Sequence, residues 1–202
     1  MTLWRGQSPL ILASQSRARQ TLLANAGFAF EAVPADIDER AIQRSSDLVA
    51  PGEIAALLAR EKAVAVSRQR PGSVVVGADQ TLALGRELFS KPDDRAQARA
   101  QLGRLAGGNH ELHAAVAVAR DGKIMFETMA LARMTMRPLS AAQIDAYLDA
   151  AGEAVTGSVG AYQLERLGVH LFERIEGDHF TILGLPLLPL LAFLRSAGLL
   201  GV

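Results

Sequence analysis

The 202-residue chain contains no cysteine. Disulfide scaffolds and thiolate zinc sites are therefore excluded, and a reducing, cytoplasmic setting is the expected one. Nor is there a charge surplus, since 21 Lys and Arg balance 21 Asp and Glu. A protein that tracks a broad polyanion such as duplex DNA carries a basic excess, so nucleic acid is not an expected partner. A small anion needs only a local basic pocket, which a neutral total allows. Long apolar runs are missing as well. Residues 1–16 hold one Arg and a short apolar patch from Pro9 to Ala13, less than the core of a signal peptide. The most apolar stretch, Phe180 to Leu194, is broken by Gly184, Pro186 and Pro189 and is shorter than the ~20 residues that cross a bilayer. It reads as a buried strand, a turn and a helix, so no membrane partner is expected. Internal repeats, a P-loop, a dinucleotide fingerprint and a serine nucleophile elbow are all absent.

Half of the residues are apolar, enough for a sizeable core in one domain spanning residues 1–202. Leu10 to Ala13 reads as a buried strand, after which Ser16 can cap a helix that Gly27 ends. Phe28 to Val33 alternates like a strand, and Pro34 to Ala50 is polar and irregular. Pro51 opens a helix running to about Gln69. Ser73 to Asp79 is a β-branched strand expected to turn at Gly77, and Gln80 to Leu84 and Glu87 to Phe89 can pair around Gly85-Arg86. A helix follows over Asp93 to Leu105. His110 to Arg120 and Lys123 to Met136 flank Asp121-Gly122, a strong hairpin signal. Ser140-Ala141-Ala142-Gln143 is a capping box for a helix to about Ala151. A last strand is expected near His170 to Arg174 and a last helix from about Pro186. The mixture lacks strict alternation, which predicts an α/β fold with a mixed twisted sheet and flanking helices.

Chemistry can reside in a handful of places, each with an ordinary alternative. Ser14-Gln15-Ser16-Arg17-Ala18-Arg19 joins a strand to a helix whose N-terminus suits phosphate, although Ser16 can equally be no more than a cap. Glu61 falls in the stripe formed by Ile54, Leu57, Leu58 and Ala65, with Lys62 at its edge. A charge there needs a partner, either a ligand or an arginine in the core. Asp79 ends a buried strand, where α/β folds place reactive groups. It could bind a metal or take a proton, or serve only the turn. Lys91 in Ser90-Lys91-Pro92 is a mobile cation beside the strand end or a solvated loop residue. His110 and His113 are three apart on a strand, face opposite sides and make a poor metal pair. His170 and His179 have no evident partner. Spacing alone thus yields an anion-binding α/β domain without fixing the reaction.

The ordered set of motifs resembles the Maf family of nucleotide pyrophosphatases over almost the whole chain. Its pieces are Leu12-Ala13-Ser14-Gln15-Ser16 with the following basic residues, Asp38-Glu39, Glu61-Lys62-Ala63, Gly77-Ala78-Asp79, Lys91-Pro92, Gly160-Ala161-Tyr162, and Glu173 to Gly177 followed by Gly184-Leu185-Pro186. The resemblance implies two lobes around a cleft, similar to inosine triphosphatases, and hydrolysis between the α- and β-phosphates of a nucleoside triphosphate. It implies Asp79 as proton acceptor or metal ligand and Glu39 as the second acidic group for Mg²⁺ or Mn²⁺. Lys62, Lys91 and Arg19 would hold the triphosphate, with hydroxyls from Ser14 and Ser16. Homodimers are common in that family.

There are departures from the pattern. Arg17 and Ala18 replace a Pro and an Arg, and Ala18 occupies a position that helps to choose the base. Gln80 and Glu165 stand where the dTTP/UTP branch has Thr and Gln. They look more like the 7-methyl-GTP branch, whereas Gly160-Ala161-Tyr162 follows the general pattern. A carboxylate at Glu165 could accept hydrogen bonds from a guanine edge. The main expectation is a house-cleaning enzyme for modified nucleotides. The alternatives are a non-catalytic nucleotide-binding regulator of septum formation and an inosine triphosphatase of the sister family.

Overall fold

The computed structural model describes residues 3–201; the first two residues of the N-terminal segment 1–16 and the last residue of the chain lie outside them. The strands are β1 (Leu10–Ala13), β2 (Phe30–Ala32), β3 (Val75–Leu84), β4 (Glu87–Phe89), β5 (Asn109–Arg120), β6 (Lys123–Met136) and β7 (Phe172–Glu176). The helices are α1 (Arg17–Asn25), α2 (Glu39–Ser45), α3 (Pro51–Gln69), α4 (Arg95–Leu105), α5 (Ala141–Ala151), α6 (His179–Ile182) and α7 (Leu187–Ser196). The sheet order is β2-β1-β3-β5-β6-β7, with β4 paired to β3. β1 is parallel to β2 and β3, while β3–β4 and β6–β7 are antiparallel. The expected mixed α/β sheet is therefore present. No helix among the described residues is long and apolar enough to cross a membrane.

The chain divides into two compact units. The first comprises the residues up to Gln80, Ala114–Ala130, and those from His179 on. Here β1 and β3 lie side by side, buried on both faces. One face packs Leu10, Leu12, Val76 and Ala78 against Leu22 and Leu23 of α1 and Leu187, Leu190 and Leu194 of α7. The other receives α3, whose Ala55, Ala59 and Ala63 meet Ala115, Ala117 and Ala119 of β5. Small side chains on both surfaces let helix and sheet approach closely. Gly77 completes the fit, because a Cβ there would stand 2.2 Å from the carbonyl oxygen of Ala59. This explains a departure from expectation. β3 does not turn at Gly77 but runs straight through it to Leu84, and the glycine serves close approach.

Other local expectations also shift. Pro34 to Ala50 contains α2, opened by Asp38, whose carboxylate accepts from the Ala41 N–H at 2.9 Å. β2 is shorter than the alternating run Phe28 to Val33. The expected strand after Phe180 is instead the single-turn α6, followed by α7. Asp121 and Gly122 carry φ values of 52° and 74°, as a two-residue type I′ hairpin turn requires.

The second unit is Thr81–His113 and Leu131–Asp178. The Ser140–Gln143 capping box forms at the start of α5 as expected. β7 begins at Phe172 and ends at Glu176, later than the anticipated His170 to Arg174. His110 is 1% exposed, and its Nε2 lies 2.7 Å from the Tyr162 hydroxyl. The Tyr162 and Phe172 rings pack edge to face at 4.8 Å. The histidine is a structural core residue, joined to no metal cluster among the described residues.

Two outcomes test this packing. Gly77→Ala places a methyl group against helix backbone that cannot yield, and we expect a loss of about 1–3 kcal/mol in urea unfolding; an unchanged midpoint would contradict the close approach. Burial pushes the His110 imidazole down from 6.5 to about 4, so the fold favours the neutral ring. A depressed folded pKa gives stability that is complete above 6.5 and lost as pH falls through about 4. The wild type should lose up to about 3 kcal/mol over that window, and His110→Gln should flatten the slope; identical slopes would contradict it.

Candidate active site

The ionic groups gathered around Asp79 belong to the first unit. Asp79 follows Val75 and Gly77 on the α3 side of β3, by the alternation of side chains. It is 8% exposed. From α3, Lys62 reaches it with Nζ 2.6 Å from Oδ1. The same Nζ lies 2.8 Å from Oε1 of Glu39, the first residue of α2. Glu39 is the exposed member of the trio and Lys62 is as buried as Asp79.

The stripe of α3 is not the one its large side chains suggest. Its buried residues are Gly52, Ile54, Ala55, Leu58, Ala59, Lys62, Ala63, Val66 and Ser67. Glu61 is only partly buried and Lys62 takes the inward position. The alanines and Gly52 decide the helix orientation, because the close approach over Gly77 needs small residues. Hydropathy weights large residues more heavily and rotates the apparent stripe.

On the other face of β3, Arg19 of α1 forms a fixed strut. Its Nη1 donates to the Ala78 carbonyl at 2.8 Å and to Ser14 Oγ at 3.2 Å. Its Nε donates to the Gly184 carbonyl at 2.8 Å. Ser14 Oγ also accepts from the Ser16 N–H at 3.2 Å, and Ser16 Oγ caps α1 through the Arg19 N–H at 3.5 Å. Ala18 is half-buried and Arg17 is exposed at the start of the helix. Gln80 points its amide nitrogen at the carbonyls of Thr181 and Ile182, 3.0 Å from each. Two carbonyl acceptors fix the amide orientation, and Oε1 lies on the Gly184 side, where a Cβ on that glycine would stand 3.5 Å from it.

The expected residues Ser14, Ser16, Ala18, Arg19, Glu39, Lys62, Asp79 and Gln80 thus share the first unit. Lys91, exposed after β4, and Glu165, in an exposed turn after the Gly160–Tyr162 segment, belong to the second. The carbonyls of Gly184, Thr181 and Ile182, which position Arg19 and Gln80, were not foreseeable from the sequence. Backbone acceptors leave no mark in side-chain chemistry. The capping Asp38, three residues before Ala41, was the available signal for α2 and hence for the placement of Glu39.

Burial pushes the Asp79 carboxyl above the usual carboxylate range; Lys62 and Arg19 oppose the shift and Glu39 adds to it. Burial likewise lowers the Arg19 guanidinium from its ordinary value, against the attraction of Asp79 and Glu39. A carboxylate with a raised pKa is a stronger base once ionised and suits proton abstraction near neutral pH.

Comparison with known proteins agrees with the motif order. The family model for Maf-like protein matches residues 9–197. The chain is 71% identical over 202 residues to a protein of Bradyrhizobium diazoefficiens named nucleoside triphosphate pyrophosphatase, covering 100% of both chains. It is 50% identical to a 7-methyl-GTP pyrophosphatase of Brucella abortus biovar 1, covering 92% of this chain and 94% of that one. A solved HAM1 protein from Coxiella burnetii aligns with a TM-score of 0.40 at 14% identity, covering 63% of this chain and 72% of its own, too distant to bear on fold or function.

A raised folded pKa means that Asp79 stabilises fully below the unfolded value of 3.8 and loses that contribution as pH rises through its folded value. Wild-type stability should therefore carry a component that falls as pH rises from 3.8 toward neutrality, and nucleotide-free Asp79→Asn should lack that component of the pH slope. Identical pH slopes in the variant and the wild type would contradict the raised pKa.

Proposed function

The chain belongs to the Maf-like protein family, and from that premise we propose that it is a nucleoside triphosphate pyrophosphatase, hydrolysing NTP or dNTP to the monophosphate and pyrophosphate. The observation that carries the proposal is the buried Asp79 carboxylate held by Lys62 beside Glu39. A pure binder of polyanions gains nothing from two carboxylates at its centre, whereas a hydrolase needs a base. The names of the relatives support the same reaction.

In this reading Asp79 accepts the proton of the attacking water. The water oxygen joins one phosphoryl group, the α–β anhydride bond breaks, and the bridging oxygen leaves with the other group. Lys62 turns part of its charge from the carboxylates to the phosphates. The Ser14 hydroxyl and the start of α1 orient the chain of phosphates. Arg19, already committed to two carbonyls and Ser14, contributes its fixed charge and holds the strand end in place.

A divalent cation fits this donor set. Asp79 and Glu39 approach one point closely enough to share a single Nζ, and Mg²⁺ ordinarily takes one or two carboxylates with water and phosphate in its other places. Asp79 and Glu39 would hold Mg²⁺ or Mn²⁺, which when bound offsets phosphate charge and acidifies water.

For the base, Gln80 and Glu165 stand where the dTTP/UTP branch has Thr and Gln, and the Glu165 carboxylate is suited to accept from an N–H edge such as that of guanine. The relationship to the 7-methyl-GTP pyrophosphatase of Brucella abortus supports a lean toward methylated GTP and a house-cleaning role. A panel of UTP, dTTP, GTP and 7-methyl-GTP with Mg²⁺ or Mn²⁺ tests the proposal. We expect pyrophosphate release greatest with 7-methyl-GTP, abolished by excess chelator, and reduced about 10²-fold or more in Asp79→Asn. Nucleotide binding without pyrophosphate release would instead identify a non-catalytic regulator.

A further inference from the structure

We propose that Lys62 makes metal entry conditional on the nucleotide, so that Asp79 and Glu39 take up a divalent cation as its triphosphate complex and not as the free ion. The choice of ligand rests on the pyrophosphatase reading. Two carboxylates this close would by themselves form an ordinary weak site for a free dication. Here their facing oxygens are already committed. Nζ of Lys62 sits 2.6 Å from Asp79 Oδ1 and 2.8 Å from Glu39 Oε1, between the two groups that would receive the metal. Lys62 is 8% exposed and lies on the buried side of α3 with Ala59 and Ala63. Retreat of its ammonium into water would require leaving that packed face.

Arg19 adds a second immobile positive charge. The Ala78 and Gly184 carbonyls, both at 2.8 Å, hold its guanidinium in place, and it interacts electrostatically with both Asp79 and Glu39. With both acids ionised, the cluster has two negative and two positive charges and is neutral. A free dication would therefore gain little attraction and meet two fixed cations where solvent screening is weak. A metal–triphosphate complex reverses the balance. Its phosphates supply negative charge for Lys62, and this frees Asp79 Oδ1 and Glu39 Oε1 for the metal. Lys62 is then an electrostatic interlock as well as a phosphate ligand: the cation that activates water arrives only with the molecule to be cut.

Equilibrium dialysis of the full chain against Mn²⁺ tests this without turnover. Wild type should retain little Mn²⁺ alone and at least about tenfold more when Mn²⁺ is supplied with the α,β-methylene analogue of GTP, a one-charge difference at close range. Lys62→Met, which keeps the volume of the side chain and removes its charge, should bind Mn²⁺ alone at least about tenfold more tightly than wild type. Should that variant fail to fold, Lys62→Gln carries the same comparison. Equal retention of Mn²⁺ by wild type with and without the analogue overturns the proposal. So does a charge-free variant that binds Mn²⁺ alone no better than wild type. Pyrophosphate release is measured separately, so loss of the enzymatic reading and loss of the interlock give different results.

Discussion

A single ammonium group between two carboxylates organises the first unit. Lys62 is inward-facing on α3, Asp79 lies buried midway along β3, and Glu39 opens α2. Without the ammonium, two carboxylates would face each other, one of them away from water, a change usually worth several kcal/mol. The backbone around the pair is built to hold it. Gly77, two residues before Asp79, permits α3 to lie against β3 at a distance that no side chain allows. That contact sets how far the Lys62 side chain must reach. The Ala55–Ala59–Ala63 row and the facing alanines of β5 extend the same close approach along the sheet.

Stability and activity pull against each other at this point. A valine or leucine in place of Asp79 would suit the core, and burial already disfavours the ionised carboxylate. The compensating charges come from opposite faces of one strand: Lys62 from the α3 side and Arg19 from the α1 side. Arg19 is costly in its own right, and the carbonyls of Ala78 and Gly184 together with Ser14 Oγ satisfy its donors. Gly184 has φ of 85°, and a Cβ there would stand 3.2 Å from the Arg19 guanidinium. The loop before α7 is therefore shaped to bring a carbonyl, and no side chain, against the arginine.

Much of this was legible in the sequence because the signals were local. Ser16, the Asp121-Gly122 turn, the Ser140 capping box and Pro51 each carry their own hydrogen bonds or dihedral preference, and each marks its element within a residue or two. Asp79 stood out as a carboxylate at the end of a β-branched strand, and the motif order tied it to Lys62 and Glu39. What misled was tertiary. The inward turn of Lys62 instead of Glu61 depends on alanines and Gly52, whose weight comes from proximity and not from hydropathy. Gly77 looked like a turn because its use for close approach appears only when α3 is placed. Residues 180–182 are apolar and β-branched in part, yet form a single helical turn that presents two carbonyls to Gln80.

The role of the Asp79–Lys62–Glu39 cluster turns on which bond is cut. Incubating the wild-type protein with 7-methyl-GTP and Mg²⁺ and following the products by ³¹P NMR reads that bond directly. Hydrolysis at the α–β bridge predicts pyrophosphate and the nucleoside monophosphate in equal amounts, with no orthophosphate. A nucleoside diphosphate accompanied by orthophosphate would mean cleavage at the terminal phosphate and would contradict a cluster that directs water to the α–β anhydride.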